Sequence, residues 1–247
     1  MSGKIRVGVG GWTFEPWRGV FYPEGLSQKR ELEFASRAMT SIEINGTYYS
    51  TFKHDSWKKW RDETPDDFVF SLKASRFCTN RKVLASAKES VDRFLSQGIT
   101  ELGSKLGPIN WQLAGTKKLE AEDIDGFLEL LPKEKDGLPL HHALEVRHAS
   151  FVSPDFYEVA AKHGVGIIFA DDTTFPQIDQ ATAGFTYARI MTSKEDLEEG
   201  YTEAELDNLA KQARGWAERG DVYLYFISGA KIRNPAAAQA LIRRITE

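Results

Sequence analysis

The chain alternates short runs typical of strands with longer amphipathic segments typical of helices. Eight strand-like runs lie at residues 6–10, 41–45, 68–74, 108–113, 142–147, 165–170, 185–190 and 222–226. No repeat, linker or shift in composition divides the 247 residues. Eight strands that alternate with helices over about 250 residues are typical of a (β/α)8 barrel. The pattern therefore predicts an α/β fold, a single TIM-like (β/α)8 barrel domain over residues 1–247, with a doubly wound open sheet as the alternative.

Two of the predicted helices have recognisable ends. Pro154 opens one segment, and Gly164 follows its last helical residue. Thr202 and Glu205 have the spacing of a capping box, and their helix is predicted to run to Gly220.

Polar and apolar side chains alternate inside the predicted strands. Glu145 and Arg147 alternate with Leu144 and Val146 in the fifth strand. A parallel sheet that is covered on both faces carries nearly continuous hydrophobic residues instead. Alternation is expected where the apolar side packs under helices and the polar side points into a barrel lumen, so it favours the barrel. The polar positions predicted to face the lumen are Ser41, Glu43, Asn45, Ser71, Lys73, Asn110, Gln112, Glu145, Arg147, Tyr187, Arg189, Tyr223 and Tyr225.

Two carboxylates on the predicted lumen face are candidates for chemistry. Active sites of such barrels lie at the carboxyl ends of the strands, and Glu43 and Glu145 both lie near those ends. Unequal surroundings would let them act as a general acid and a general base. The alternative is that they only pair with Lys73, Arg147 and Arg189, because buried charges must be paired. Both interpretations stay open, and Glu145 and Glu43 are the predicted catalytic residues.

The loop at residues 73–82 is locally basic. It carries Lys73, Arg76, Arg81 and Lys82 with no acidic residue. Arginine offers a planar fork for phosphate or carboxylate, and Phe77 can stack on a ring. A solvated loop that pairs with acidic neighbours is the alternative. The sequence favours an anion site at the barrel mouth, and the predicted substrate-binding residues are Lys73, Arg76, Arg147, His148, Arg189, Gln112, Asn45, Trp12, Tyr48 and Asp171.

Other kinds of site have less support. Cys78 and His148 have the chemistry of a nucleophile and its base, but a lone cysteine is more often an inert small hydrophobe. The five histidines are scattered, so no metal site is predicted. A metal held by Glu43, Glu145, His148 and Asp171 is the remaining alternative. The glycine-rich start of the chain lacks the spacing of a dinucleotide site, so no cofactor is predicted.

Composition and charge narrow the classes of partner. Hydrophobic residues make up 41% of the chain, which is enough for a sizeable core. The net charge of −4 argues against a general nucleic-acid coat but leaves room for a local basic site. One cysteine excludes an internal disulfide and fits a reducing compartment, and no signal peptide or membrane-length apolar run is recognisable. We expect a cytoplasmic protein with no membrane partner, and the oligomeric state is not predicted.

Five ordered segments resemble the DUF72 family of largely uncharacterised barrel proteins. They are GWTFEPWRGVFYPEG, SIEINGTYY, FSLKASRF, KLGPINWQL and LEVRHASF. The resemblance runs from about Gly8 to Phe226, and it implies a TIM-like barrel but no established reaction. Four segments at the mouth depart from the family's pattern, which implies a divergent branch with an altered substrate. These are Asn80 and residues 114–118, 191–192 and 227–231.

Two functions from different classes remain. The first is an enzyme that acts on an anionic, phosphorylated or nucleotide-like small substrate, with carboxylate acid–base chemistry that suits a hydrolase or an isomerase. The alternative is a non-catalytic module that binds an anionic ligand or a nucleic-acid end. Replacing Glu145 by glutamine separates them, because in an enzyme the change should stop turnover and spare ligand binding.

Overall fold

All eight predicted strands are present, and they pair in parallel around a barrel. The computed structural model describes residues 2–246. The strands of the barrel are β1 (Ile5–Gly10), β2 (Ser41–Ile44), β3 (Val69–Lys73), β4 (Leu106–Gln112), β5 (His142–Glu145), β6 (Gly166–Ile167), β7 (Phe169–Asp171), β8 (Phe185–Ile190) and β9 (Asp221–Phe226). Outside the barrel, Glu134–Lys135 and Leu138–Pro139 form a separate antiparallel pair. The barrel strands lie in the order β6-β5-β4-β3-β2-β1-β9-β8-β7. The predicted α/β barrel is therefore confirmed.

The two ends of this sheet are halves of one broken strand. Ile168 alone separates β6 from β7, and its N–H donates to the carbonyl oxygen of Leu144 in β5 at 3.1 Å. β6 pairs with β5, and β7 pairs with β8. The ring of predicted strands therefore nearly closes, which excludes the doubly wound open sheet.

Helices follow the strands, with one exception. They are α1 (Glu31–Ala38), α2 (His54–Glu63), α3 (Arg76–Thr79), α4 (Lys88–Leu95), α5 (Ala121–Glu129), α6 (Pro154–His163), α7 (Glu203–Ala217) and α8 (Asn234–Thr246). After β7, residues 172–184 form a loop instead. An Asp172 carboxylate oxygen accepts the N–H groups of Thr174 and Phe175 at 2.6 and 3.1 Å, which holds a turn where a helix would begin. The expectation of a helix after every strand is thus corrected at the sixth unit.

The helix ends agree with the sequence signals except at one position. α6 begins at Pro154, and Gly164 follows it with a φ of 68°, a conformation that glycine adopts without steric cost. The side chains of Thr202 and Glu205 each accept the other residue's backbone N–H, which confirms the capping box. α7 ends at Ala217, earlier than predicted. Among residues 2–246, no helix is both long and apolar enough to cross a membrane.

Hydrophobic side chains fill two separate layers. The outer layer, between strands and helices, includes Val7, Val9, Ile42 and Leu144. The inner layer fills the lumen and includes Val69, Ala143, Ile168, Tyr187, Tyr223 and Tyr225. Tyr225 Oη lies 2.6 Å from Ser41 Oγ and 2.7 Å from Ser71 Oγ, so the buried hydroxyls of the lumen satisfy one another. The alternation in the sequence therefore correctly predicts which strand side chains face the helices and which face the lumen. Side chains fill the lumen beneath the mouth.

Candidate functional site

A buried charged network lies in the lumen where β2, β5 and β8 reach the mouth. Glu43 and Glu145 are 0% exposed, and Arg189 is 2% exposed. The Arg189 guanidinium donates from Nε and Nη2 to the two Glu43 carboxylate oxygens at 3.1 Å each, and from Nη1 to Glu145 Oε2 at 2.7 Å. One guanidinium therefore bridges both predicted catalytic carboxylates.

Glu145 receives hydrogen bonds on both of its oxygens. Gln112 Nε2 lies 2.8 Å from each oxygen, Asn110 Nδ2 lies 3.1 Å from Oε2, and Arg147 donates from Nε and Nη2 to Oε1 at 2.9 and 2.7 Å. Burial opposes ionisation, but the positive charges of Arg189 and Arg147 outweigh it and lower the pKa of Glu145 to about 2. Glu145 is therefore an anion at neutral pH, and its hydrogen-bonding capacity is used within the protein.

Tyr187 completes the surroundings of Glu43. Its hydroxyl donates to Glu43 Oε2 at 2.5 Å, and Asn110 Nδ2 lies 3.5 Å from the same oxygen. Burial and the Glu43 charge raise the pKa of Tyr187 well above 10, so the phenol keeps its proton. The sequence pattern places Tyr187 and Asn110 on the lumen face, two residues before Arg189 and Gln112, but it assigns neither a role in the site.

Lys73 is a cation beside the buried network that has no carboxylate partner among residues 2–246. It ends β3 and is partly exposed, with its Nζ 4.6 Å from the centre of the Tyr48 ring. Within the described part of the chain, the ion pairs of the two carboxylates go to Arg189 and Arg147 instead. Burial lowers the pKa of Lys73 to about 8; the Arg189 charge acts in the same direction, and the two carboxylates oppose it.

Arg147 and His148 each present a donor that no acceptor in the described part of the chain uses. The Arg147 side chain is 24% exposed; its Nε and Nη2 donate to Glu145, and its guanidinium lies 4.6 Å from the centre of the Phe175 ring. His148 Nδ1 accepts the Ser150 N–H at 3.1 Å, so the neutral ring carries its proton on Nε2. Arg147 Nη1 and His148 Nε2 have no acceptor among residues 2–246, so both are available to a ligand.

Arg76 and Asp171 lie at the rim of the mouth. Arg76 is exposed, with its guanidinium 5.4 Å from the centre of the Phe77 ring. Asp171 ends β7 and accepts hydrogen bonds from Thr192 Oγ1 at 2.7 Å and from Gln177 Nε2 at 3.2 Å. Arg76 is free to meet a ligand, whereas the Asp171 carboxylate joins two loops of the rim.

Asn45 and Trp12 pack against neighbouring protein groups. The Asn45 amide lies over Gly10, where an added Cβ would come within 2.6 Å of Asn45 Nδ2. Trp12 meets Trp60 of α2 edge to face, with ring centroids 5.1 Å apart, and also packs against Phe70 of the outer layer. Trp12 therefore faces the helix layer, and a ligand contact for either residue stays a prediction.

Cys78 and His142 are buried and held in neutral forms. Cys78 is fully buried, and burial raises the pKa of its thiol to about 12, so it is no nucleophile at neutral pH. His142 Nδ1 accepts from Trp111 Nε1 at 3.1 Å, and its Nε2 lies 2.8 Å from the Pro132 carbonyl oxygen. Burial lowers the pKa of His142 to about 4. No group of three or more His, Cys, Asp or Glu residues suited to hold a metal ion occurs in residues 2–246.

The mouth segments singled out by the sequence are held by local contacts. Asn80 is exposed and follows α3. Lys117, in residues 114–118, is buried and donates to Asp123 at 2.7 Å. Ala230, in residues 227–231, donates its N–H to the carbonyl oxygen of Ser193 at 2.9 Å, which joins the loops after β8 and β9. These segments shape the rim of the mouth, and in residues 2–246 they form no hydrogen bond with Glu43, Glu145 or Arg189.

Comparisons with known proteins place the chain beside barrel proteins. A family model described as "Protein of unknown function DUF72" matches residues 6–247. The UPF0759 protein YecE of Escherichia coli strain K12 is 26% identical over 162 residues, which are 65% of this chain and 55% of YecE, so the chain spans about half the length of that relative. The DUF72 family protein TM1631 of Thermotoga maritima MSB8 is 25% identical with a TM-score of 0.77, over 99% of this chain and 100% of TM1631. A D-psicose 3-epimerase, 11% identical with a TM-score of 0.53 over 98% and 96% of the two chains, shares the fold alone.

Proposed function

The chain belongs to the DUF72 family, and from that premise we propose that its barrel mouth binds a small anionic molecule, phosphorylated or nucleotide-like, and that Lys73 exchanges a proton with it. The observation that carries the proposal is a cation at the end of β3 that has no carboxylate partner in the described residues 2–246, beside two carboxylates already paired with arginine. Three cations, Lys73, Arg147 and Arg189, face two carboxylates, so one positive charge is uncompensated when Lys73 is protonated. An anionic ligand supplies the missing counter-charge.

Three donors are available to such a ligand. They are Lys73 Nζ, Arg147 Nη1 and His148 Nε2. Arg147 is held by Glu145 on one edge and by Phe175 on its face, so its free edge loses little conformational freedom on binding. Donors that the protein has already oriented are well suited to phosphate or carboxylate oxygens.

Lys73 is the proton-transfer group in this proposal. A pKa near 8 lets it hold a proton at neutral pH and release it within the working range of acid–base catalysis. Glu145, with a pKa of about 2, and Glu43, bound by Arg189 and Tyr187, serve as fixed anions that orient Arg189. An acid–base role for the two carboxylates stays a prediction, which the Glu145→Gln variant tests.

A binding module without chemistry is the second candidate. The burial of both carboxylates favours it, because Glu43 and Glu145 are 0% exposed and each of their oxygens already accepts a hydrogen bond within the protein. In that case Lys73 contributes charge alone, and the ligand leaves the mouth unchanged.

Isothermal titration calorimetry with ribose 5-phosphate tests the proposed anion binding. The wild-type protein should bind it, and Lys73→Met and Arg147→Met should each weaken binding about tenfold or more, because each removes a charged donor. Lys162→Met is the control, since Lys162 pairs with Asp125 in the helix layer. No binding by the wild type, or equal affinity in all four proteins, contradicts the proposal.

The Lys73→Arg variant tests the proton-transfer half. Arginine keeps the positive charge but does not release its proton near pH 8. A set of sugar phosphates and nucleotides is incubated with each protein and followed by ³¹P NMR. Turnover by the wild type that stops in Lys73→Arg, with binding retained, supports proton transfer by Lys73. Ligands that bind and stay unchanged with the wild type leave the binding module as the function.

A further inference from the structure

Five side chains, two cations and three aromatic rings, form a row that leads from the lumen to the rim. In order, they are Lys73, Tyr48, Tyr49, Arg76 and Phe77. Lys73 Nζ lies 4.6 Å from the centre of the Tyr48 ring, and the centroids of the two tyrosine rings are 4.9 Å apart. The Arg76 guanidinium lies 5.9 Å from the Tyr49 ring centre and 5.4 Å from that of Phe77. These separations are in the range where cations and rings attract one another, and we call the set the cation–aromatic row.

The outer rings of the row are open to solvent. Tyr49 is 67% exposed and Phe77 is 62% exposed, the two highest values among the exposed large hydrophobic side chains of residues 2–246. Tyr49 lies in the loop after β2 and Phe77 in α3, after the neighbouring strand β3, and neither ring belongs to the two hydrophobic layers. Exposed rings contribute little to folding, and adjacent exposed apolar groups mark a binding surface.

Hydrogen bonds hold the loops that carry the row. Thr47 Oγ1 donates to the carbonyl oxygen of Lys73 at 2.6 Å, which joins the loop after β2 to the end of β3. Arg81 donates from Nε to the carbonyl oxygen of Phe77 at 3.1 Å and from Nη2 to Ser90 Oγ at 2.8 Å, which ties α3 to α4. The backbone that carries the rings is therefore ordered before a ligand arrives, so binding needs only the rings themselves to become ordered.

A cleft of about 640 Å³ opens beside the outer rings. Its walls include Tyr49, Phe77, Thr51, Ser90, Glu89 and Arg93. This volume is in the range of small-ligand sites, and the walls combine ring faces with hydroxyl, carboxylate and guanidinium groups. A flat heterocycle with polar edges matches that combination, since its faces can stack while its edges meet the polar groups.

The geometry points to a nucleobase as the second part of the ligand: a nucleotide, free or at the end of a single strand, with its phosphate at Lys73 and its base on the Tyr49 and Phe77 rings. This inference rests on the proposed function, because it keeps the anion at the mouth. Aromatic rings stack with any base, because every base has a π face, and an arginine between rings adds cation–π attraction. A sugar phosphate without a base would reach Lys73 and leave the outer rings empty.

Calorimetry with AMP and ribose 5-phosphate separates the two parts of the ligand. The wild type should bind AMP about tenfold or more tightly than ribose 5-phosphate, because only AMP engages the rings. In the double variant Tyr49→Ala/Phe77→Ala, this advantage should fall to about onefold, with the affinity for ribose 5-phosphate unchanged. Val152→Ala, at another exposed hydrophobic residue, is the matched control and should keep the advantage.

The outcomes distinguish this inference from the function on which it rests. Equal wild-type affinities for AMP and ribose 5-phosphate, or an AMP advantage that survives in the double variant, overturn the nucleobase inference and leave the anion site intact. Failure of both compounds to bind overturns the anion site itself. A 5′-phosphorylated tetranucleotide that binds more tightly than AMP assigns the site to a strand end, and one that binds no more tightly assigns it to a free nucleotide.

Discussion

Replacing Arg189 by methionine is expected to destabilise the protein strongly. Methionine keeps an unbranched side chain but removes the guanidinium. Glu43 then loses the Arg189 bonds to both of its oxygens and keeps only neutral donors, chiefly the Tyr187 hydroxyl, whereas Glu145 keeps Arg147 and Gln112. Removing one partner of a buried ion pair costs about 3–5 kcal/mol, because the remaining charge is uncompensated. We expect the free energy of unfolding at pH 7 to fall by this amount.

The loss in the Arg189→Met protein should shrink as the pH falls. Without the guanidinium, one carboxylate is expected to take up a proton, so its folded-state pKa lies above its unfolded value and the folded state gains stability as pH falls through it. The sign is opposite in the wild type. There the pKa of Glu145 is lowered from 4.5 to about 2, so its contribution is complete above 4.5 and is lost as pH falls towards 2. That contribution is on the order of 3 kcal/mol.

Urea unfolding at pH 7 and pH 5, followed by tryptophan fluorescence, measures both effects. Arg219→Met is the control: Arg219 pairs with Asp179 at 3.1 Å on the surface, and its loss should cost less than about 1 kcal/mol. The double variant Glu43→Gln/Arg189→Met should regain part of the loss, because it removes a carboxylate that Arg189 no longer neutralises. An Arg189→Met protein that loses no more stability than the control, or whose deficit is the same at both pH values, would refute the role assigned to Arg189.

Three further predictions concern acid stability, helix capping and thiol reactivity. Burial lowers the pKa of His142 from 6.5 to about 4, so its contribution to stability is complete above pH 6.5 and is lost as the pH falls towards 4. His142→Gln should remove the loss of stability between pH 6.5 and 4 that is due to this residue. An acid unfolding profile that is unchanged in the variant contradicts the prediction. Thr202→Ala should lower the free energy of unfolding by about 1 kcal/mol in urea, with Thr116→Ala, in an exposed loop, unchanged. Cys78 should react with Ellman's reagent at pH 8 only after unfolding, and rapid reaction of the native protein would show that the thiol is accessible.

The direction of each strand side chain could be predicted from the sequence, but its partner could not. Alternation with a period of two is a local property, so Glu43 and Glu145 were assignable to the lumen from their immediate neighbours. The bond between Arg189 and Glu43 joins positions 146 residues apart, and the stagger of strands around the barrel decides how deep each one lies. For this reason Arg189, predicted to meet substrate, is 2% exposed beneath the mouth, whereas Lys73 is partly exposed.

The loop after β7 shows a second feature that the hydrophobic pattern of the sequence does not predict. Periodicity predicts that a helix follows each strand, but residues 172–184 contain a turn around Asp172 and no helix. Phe175 from this loop lies against the Arg147 guanidinium. Nothing in the neighbouring sequence indicates that contact, because it depends on where the closed barrel brings two distant loops together.

The buried network contributes opposing charges to the surroundings of Lys73, whose pKa is lowered mainly by burial. A buried arginine–carboxylate cluster does not by itself indicate a more stable fold, because well-packed hydrophobic residues of similar volume often stabilise a protein equally well. Burial and the Arg189 charge lower the pKa of Lys73, and the Glu43 and Glu145 charges oppose them. The resulting pKa is about 8, whereas that of an exposed lysine is about 10.4. An anion bound at the mouth adds negative charge beside that amine, so it raises the pKa and draws a proton to Lys73. Under the proposed function, anion binding and proton uptake are therefore coupled through Lys73.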